Sequence, residues 1–184
     1  MMQDKTRKII EENERAFLLL WLRITVVICL YLASISVLDA FVTLFSYWGF
    51  LAGRMDPNLH QDWYGAFQKI QESPSLFIIM NLYNIVIWNG VIVCSIWLLR
   101  YHVWSCRLLG ALLGLDMVVT VVHLLFNAWG GSLALSSPAW FIIMNALQVG
   151  AIIVLAHPRI VGLLEQFSEQ RKQITEPLRH SDIQ

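Results

Sequence analysis

The chain has 184 residues, of which 57% are hydrophobic and only 14% charged, with 13 Lys and Arg balanced by 13 Asp and Glu. A soluble domain of this size carries about 25% charged residues, so the composition favours a protein that lies in a lipid bilayer. The zero net charge excludes the broad positive surface that attracts nucleic acids, and no nucleic-acid partner is expected.

Four apolar segments are long enough to cross a hydrocarbon core of about 30 Å, which takes about 20 helical residues. They lie at 17–48, 75–99, 104–129 and 139–156. A cleavable signal peptide is the alternative for the first segment. The apolar region of a signal peptide covers about 7–15 residues, whereas this segment continues to Trp48, and we expect it to be retained.

The sequence therefore predicts an all-α integral membrane four-helix bundle. Its transmembrane domain covers 17–158, between a cytoplasmic segment at 1–16 and an amphipathic segment with a polar tail at 159–184. Ten Lys and Arg lie in the two terminal segments and around the second loop, whereas only Arg54 and Lys69 lie in the first loop. Because positive residues are retained on the cytoplasmic side, both termini are expected in the cytoplasm, with the bundle in the cell membrane or a bacterial inner membrane.

Two short amphipathic helices are expected at the membrane surfaces. In the first loop, a helix-start signal at 56–58 is followed by apolar residues at intervals of four, four and three: Leu59, Trp63, Phe67 and Ile70. This helix would lie in the headgroup layer or act as a lid over the bundle. After the fourth span, His157-Pro158 breaks the helix, and a second apolar stripe follows at Ile160, Leu163, Leu164 and Phe167. The last residues, Arg171 to Gln184, are polar with one Pro, a composition that predicts disorder.

Two sequence patterns recur in the same order along the chain. Residues 73–81 and 137–145 are identical at seven of nine positions, and the motif Leu-Asp-x-x-Val-Thr occurs at 38–43 and again at 115–120. The simplest explanation is a duplicated helical hairpin, in which spans one and two correspond to spans three and four. Such repeats are parallel and are related by an axis along the membrane normal. Coincidence between short apolar strings is the alternative.

Several polar side chains lie inside the predicted spans. An ionisable group at mid-membrane depth costs at least about 2.5 kcal/mol, so it is expected to face the interior of the bundle. Asp39 and Asp116 occupy equivalent positions of the repeat, and they face each other if the hairpins pack about a two-fold axis. A Thr follows each Asp by four residues on the same helix face. The candidate polar site comprises Asp39, Thr43, Asn81, Asp116, Thr120, His123 and Asn145, with Gln148 as a further uncharged partner.

This polar layer has two interpretations. Two carboxylates that meet in a low dielectric do not both ionise easily, which is the basis for a proton, cation or small-solute site. Alternatively the layer is structural, since Asp, Asn, Thr and Gln also join membrane helices by hydrogen bonds worth about 0.5–2 kcal/mol. Gly110 and Gly114 form a GxxxG motif on the third span, which indicates close helix packing within the chain or between copies.

The sequence contains no motif for catalysis or cofactor binding. HExxH, CxxC and a phosphate-binding glycine loop are absent, and a haem needs His residues on facing helices, whereas only His123 lies deep in a span. A metal held by Asp39, Asp116 and His123 has suitable ligand types but no supporting spacing. We expect neither a catalytic residue, nor a cofactor, nor a bound metal.

The expected function is that of a non-enzymatic subunit of a membrane assembly, formed with itself or with other membrane proteins. Small size, the GxxxG motif and the amphipathic flanks favour it. The alternative is a transport component for a proton, cation or small solute, which uses an intramembrane layer of Asp39 and Asp116. Nothing in the sequence indicates enzymatic activity.

Overall fold

A computed structural model describes residues 2–56, 61–71, 74–130 and 138–181, with side chains chiefly in 10–56, 74–122 and 142–170 and in part of 61–71. The described residues form six helices. These are α1 (Met2–Leu51), α2 (Gln61–Ile70), α3 (Pro74–Leu98), α4 (Val103–Gly130), α5 (Pro138–Ala156) and α6 (Pro158–Ser181). The prediction of an all-α membrane helical bundle is confirmed.

Within the described residues, α1, α3 and α4 are each long and apolar enough to cross a membrane. The helices α5 and α6 meet the same requirement as a pair, which bends by 56° between Ala156 and Pro158. The bend follows from Pro158, which has no backbone N–H and disfavours a helical conformation at His157. The described chain therefore has three candidate spans, or four if the bent pair is one span.

Two helices extend further than the sequence predicts. The first is α1, a single helix of 50 residues from Met2, so residues 2–16 continue the first candidate span without a break. The second is α6, which runs to Ser181, whereas the composition predicts disorder from Arg171 onwards. Both stretches are polar, but their Glu, Gln, Lys and Arg are good helix formers, and polarity alone does not oppose a helix.

The long helices pack side by side. Both α1 and α4 pack against α3 and α5. Of the nine buried residues described on α1, seven recur at alternating steps of four and three, interrupted once by the half-buried Ser36: Leu22, Val26, Cys29, Ala33, Ala40, Thr43 and Tyr47. The other two, Thr25 and Leu32, lie beside this stripe. This spacing is typical of helices whose side chains interlock at a small crossing angle. The exposed residues of α1 are mostly apolar, as lipid requires, with Arg23, Ser34 and Asp39 as exceptions within the apolar stretch.

The main hydrophobic core lies at the end of the bundle against which α6 packs, here called the α6 end. Leu98, Leu109, Leu113, Leu155 and Leu164 are among its buried residues. Polar contacts hold the surface of this end: Arg15 donates to Gln166, Arg159 pairs with Glu14, and Arg107 pairs with Glu165. The second predicted amphipathic stripe therefore packs against the bundle, with Ile160, Leu163 and Leu164 buried.

The turn from α3 to α4 also lies at the α6 end. Tyr101 has a positive φ of 58° and donates its backbone N–H to the Leu98 carbonyl at 2.8 Å, a common way to end a helix. Its ring stacks on Phe167 of α6 at a centroid distance of 4.9 Å. Because that contact joins the turn to α6, the N-terminal half of α1, the α3–α4 turn and α6 all meet at one end of the bundle.

A smaller aromatic cluster lies at the opposite end, here called the α2 end. Phe67 and Ile70 of α2 are buried there, and Phe67 meets Tyr47 of α1 at 5.4 Å and Phe77 of α3 at 6.2 Å between ring centroids. The predicted amphipathic helix is confirmed at these two residues. Leu59 lies outside the described residues, as does the side chain of Trp63. The contacts seat α2 on α1 and α3.

The space around each glycine shows how closely neighbouring helices approach it. At Gly90 of α3 an added Cβ would lie 3.1 Å from a Leu112 Cδ atom of α4, whereas at Gly110 and Gly114 it would meet nothing within 4 Å. Close packing of α3 on α4 therefore uses Gly90. The GxxxG motif makes no such close approach to the described part of this chain.

Candidate functional site

The bundle contains a buried polar pair between α4 and α5. Asp116 is 7% exposed and Gln148 is 5% exposed. The Gln148 side-chain Nε2 donates to Asp116 Oδ2 at 3.1 Å and to the Leu113 carbonyl oxygen at 2.8 Å. Asp116 lies near the middle of α4 and Gln148 near the middle of α5. These contacts join the two helices far from either end.

The pair lies at a change in the packing of the bundle. Towards the α6 end, Val91, Leu109 and Leu113 have no exposed surface, and the buried side chains are mostly apolar, with Thr25, Ser95 and Ser105 as the polar ones. Towards the α2 end, Thr120 and Asn145 are only half-buried. The Asp116–Gln148 pair therefore lies at the edge of the main core, and the polar residues Thr120 and Asn145 beyond it are less completely buried.

Tyr83 of α3 adds a third polar group. Its hydroxyl oxygen is buried and has no hydrogen-bond partner in the described chain, and the Asp116 carboxylate interacts with it electrostatically. A buried hydroxyl without a partner loses roughly 1–3 kcal/mol relative to one that is hydrogen-bonded. Tyr83, Asp116 and Gln148 thus place a hydroxyl, a carboxylate and an amide on three different helices.

Asp39 has a different environment from Asp116. It is exposed on α1, between the exposed Leu38 and Val42 on one side and the buried Thr43 on the other. No hydrogen bond or ion pair joins it to another described residue. The structure therefore does not bring the two carboxylates together, because α1 turns Asp39 to the surface while α4 turns Asp116 to the interior.

The remaining predicted site residues are divided between the interior and their own helices. Thr43 is buried. Asn81 is half-buried and donates to the Phe77 carbonyl of its own helix at 2.9 Å, so this amide is satisfied locally. Thr120 and Asn145 are half-buried. His123 lies on α4, with its side chain outside the described residues.

Sequence reasoning missed Tyr83 and gave Gln148 only a supporting role. Tyr83 lies two residues after Asn81 in an apolar span, and a tyrosine in that position is equally compatible with a lipid-facing site. Gln148 is a long amide in the middle of a span, which on its own is a signal for a helix-to-helix hydrogen bond. The partner of that bond follows only from the packing of α4 against α5.

The buried site offers hydrogen-bonding groups and one carboxylate. No Lys, Arg or His of the described residues pairs with Asp116, so the carboxylate has an amide donor but no countercharge. Among the described residues, no group of three or more His, Cys, Asp and Glu is placed to hold a metal. The three cysteines, Cys29, Cys94 and Cys106, are buried in the core as free thiols.

Searches of protein-family models, curated proteins and solved structures find no match to this chain.

Proposed function

We propose that this protein is a non-enzymatic subunit of a membrane assembly, and that Asp39 marks the surface through which it assembles. The observation that carries the proposal is the exposed, unpartnered carboxylate of Asp39 on a helix that is long and apolar enough to span a membrane. Lipid offers it no hydrogen-bond donor. A protein surface that covers Asp39 can supply a hydrogen-bond donor.

The exposed position of Asp39 carries a cost in free energy. A carboxylate at mid-membrane depth costs at least about 2.5–3.5 kcal/mol, and exposed neighbours such as Leu38 and Val42 show that the surrounding surface is apolar. Asp39 could avoid this cost by facing the bundle, as Asp116 does. Because Asp39 faces outwards, a complex with a neighbouring protein that supplies a hydrogen-bond donor would be stabilised relative to the free protein in lipid.

The proposed orientation places the α6 end in the cytoplasm. Arg15, Arg107 and Arg159 are exposed at that end, and positive residues are retained on the cytoplasmic side during insertion. The proposed architecture counts α5 as the fourth span and treats α1 with α3 and α4 with α5 as two copies of one hairpin. The packing of α1 and α4 against the same two helices supports this duplication.

The proposal is tested in native membranes with a matched pair of variants, D39N and D116N. The two residues occupy equivalent positions of the repeat, but only Asp39 is exposed. Complexes extracted in mild detergent are sized by native electrophoresis. We expect the wild type to migrate as a complex larger than its 21.2 kDa monomer, D39N to lose that complex, and D116N to retain it. A complex that D39N leaves intact would refute the proposal.

A second candidate function is a transport component for a proton, cation or small solute, and the arrangement of Asp116, Gln148 and Tyr83 favours it. A buried carboxylate without a countercharge, together with an unpaired hydroxyl on the adjacent helix α3, can hold a small polar guest. The test is flux of protons or monovalent cations into liposomes that contain the purified protein. Loss of flux in D116N with normal incorporation would support transport, and absence of flux in the wild type would reject it for these ions.

A further inference from the structure

Asp39 has neither a hydrogen-bond donor nor a positive charge beside it among the described residues, and this defines the kind of partner it needs. A carboxylate in lipid is best stabilised by a positively charged donor, because charge-assisted hydrogen bonds are roughly twice as strong as neutral ones. In a low dielectric, the Coulomb attraction adds to that bond. A second copy of this chain is the simplest candidate source of a positive charge.

The sequence of the spans argues against a second copy as the source of that charge. Arg23 is the nearest basic residue on α1, and it lies 16 residues from Asp39, about 24 Å along the helix. Neither α3 nor α5 contains Lys or Arg. On α4, Arg107 lies at the α6 end and pairs with Glu165. A second copy in the same orientation could offer Asp39 uncharged donors or His123, but no Lys or Arg.

The surface around Asp39 is suited to a helix. Leu38, Phe41, Val42 and Phe45 of α1 are all exposed, and Phe45 reaches 85%. They lie within two turns of Asp39 and form an apolar strip along the helix axis. A neighbouring helix that packs along this strip would cover it with apolar side chains and would need one basic residue at the depth of Asp39.

We infer that Asp39 binds a transmembrane helix of another membrane protein that carries a single Lys or Arg at mid-membrane depth. The inference rests on the proposed function, since it names the class of partner for the same surface. A lone basic residue on such a helix has an unfavourable free energy in lipid, as Asp39 does. The attraction between the two charges therefore offsets the desolvation cost of each. Substitution of either residue by a neutral one leaves the other charge uncompensated.

The experiment uses synthetic transmembrane helices as probes. Full-length protein with a donor fluorophore is placed in phosphatidylcholine vesicles with Leu/Ala-rich peptides that carry an acceptor and differ only at the central residue, which is Lys, Leu or Glu. Association is measured by energy transfer as a function of peptide-to-lipid ratio. We expect the Lys peptide to associate with the wild type at least about tenfold more tightly than the Leu peptide.

Three variants make the result specific. D39N should lose the preference for Lys, and D116N should keep it, because Asp116 is buried and bound to Gln148. D39K should reverse the preference, so that the Glu peptide associates more tightly than the Lys peptide. This reversal is a gain of binding that a misfolded protein would not show. Equal association of the Lys and Leu peptides with the wild type would overturn the inference.

The outcome is separable from that of the proposed function. If D39N loses the native complex but the Lys peptide binds no more tightly than the Leu peptide, Asp39 is an assembly residue without a basic partner. Self-association through uncharged donors then replaces the inferred Lys or Arg helix. If D39N leaves the native complex intact, the proposed function itself fails. A strong preference for the Lys peptide together with loss of the complex in D39N supports both.

Discussion

Gln148 of α5 donates its side-chain amide to Asp116 of α4 at 3.1 Å, and the same nitrogen donates to the Leu113 carbonyl at 2.8 Å. One amide thus binds a side-chain acceptor and a backbone acceptor on the neighbouring helix. Because both partners are buried, this contact joins α4 to α5 where water does not compete.

The first prediction concerns the coupling between these two residues. Q148L removes the donor and leaves Asp116 buried without a partner, so we expect a loss of about 1–3 kcal/mol in the free energy of unfolding. D116L removes the acceptor. The double variant should be more stable than the sum of the two losses implies, with a coupling of about 0.5–2 kcal/mol. Unfolding in mixed micelles measures all three, and strictly additive losses would contradict the contact.

The second prediction concerns glycine packing. Ala is favoured over Gly inside a helix by about 0.5–1 kcal/mol, and G114A should gain up to that amount because its Cβ meets open space. G90A should gain less or lose stability, because its Cβ would lie 3.1 Å from a Leu112 Cδ atom. Thermal unfolding in detergent compares the two variants.

A control shortens the obstructing side chain. In an L112V background, which lacks the Cδ atoms, the effect of G90A should approach that of G114A. An equal gain from G90A and G114A in the original background would contradict the close approach of α3 to α4. Loss of a native complex in G114A would assign the GxxxG motif to a contact between copies.

The apolar helices and the amphipathic helices beside them were predictable because they depend on hydropathy and periodicity, which are properties of single segments. The environments of Asp39 and Asp116 were not. Both follow Leu and precede Val and Thr at the same spacing, so local sequence gives them the same prediction. Which face of a helix meets its neighbours depends on the crossing geometry of whole helices, and that geometry exposes one carboxylate and buries the other. The partnership of Gln148 with Asp116 depends on the same geometry.

The third prediction concerns the attachment of α6. Leu164 has no exposed surface, whereas its neighbour Glu165 is exposed and pairs with Arg107 at 3.4 Å. L164A should cost about 2–5 kcal/mol, because it removes buried methyl groups and leaves a cavity. E165A should cost less than about 1 kcal/mol, because exposed ion pairs contribute little. Hydrogen exchange of the backbone at 158–170 measures the effect, and equal protection in both variants would show that α6 is not held by its apolar face.

The fourth prediction concerns the seat of α2. F67A removes the ring that meets Tyr47 and Phe77, so α2 should detach and become accessible to protease added on its own side of the membrane. Q68A changes the exposed neighbouring residue and serves as the matched control. Cleavage within Gln61–Ile70 is followed by mass spectrometry. If F67A is cleaved no faster than Q68A, the aromatic cluster does not hold the helix.

The continuity of α1 has a consequence for the whole molecule. At one end α1 holds α6 through Glu14 and Arg15, and at the other it holds α2 through Tyr47. One added residue between these sites would rotate one relative to the other by about 100° and separate them by a further 1.5 Å. Insertions and deletions between Arg15 and Tyr47 would therefore misalign the two ends, and length changes in related chains are expected in the loops.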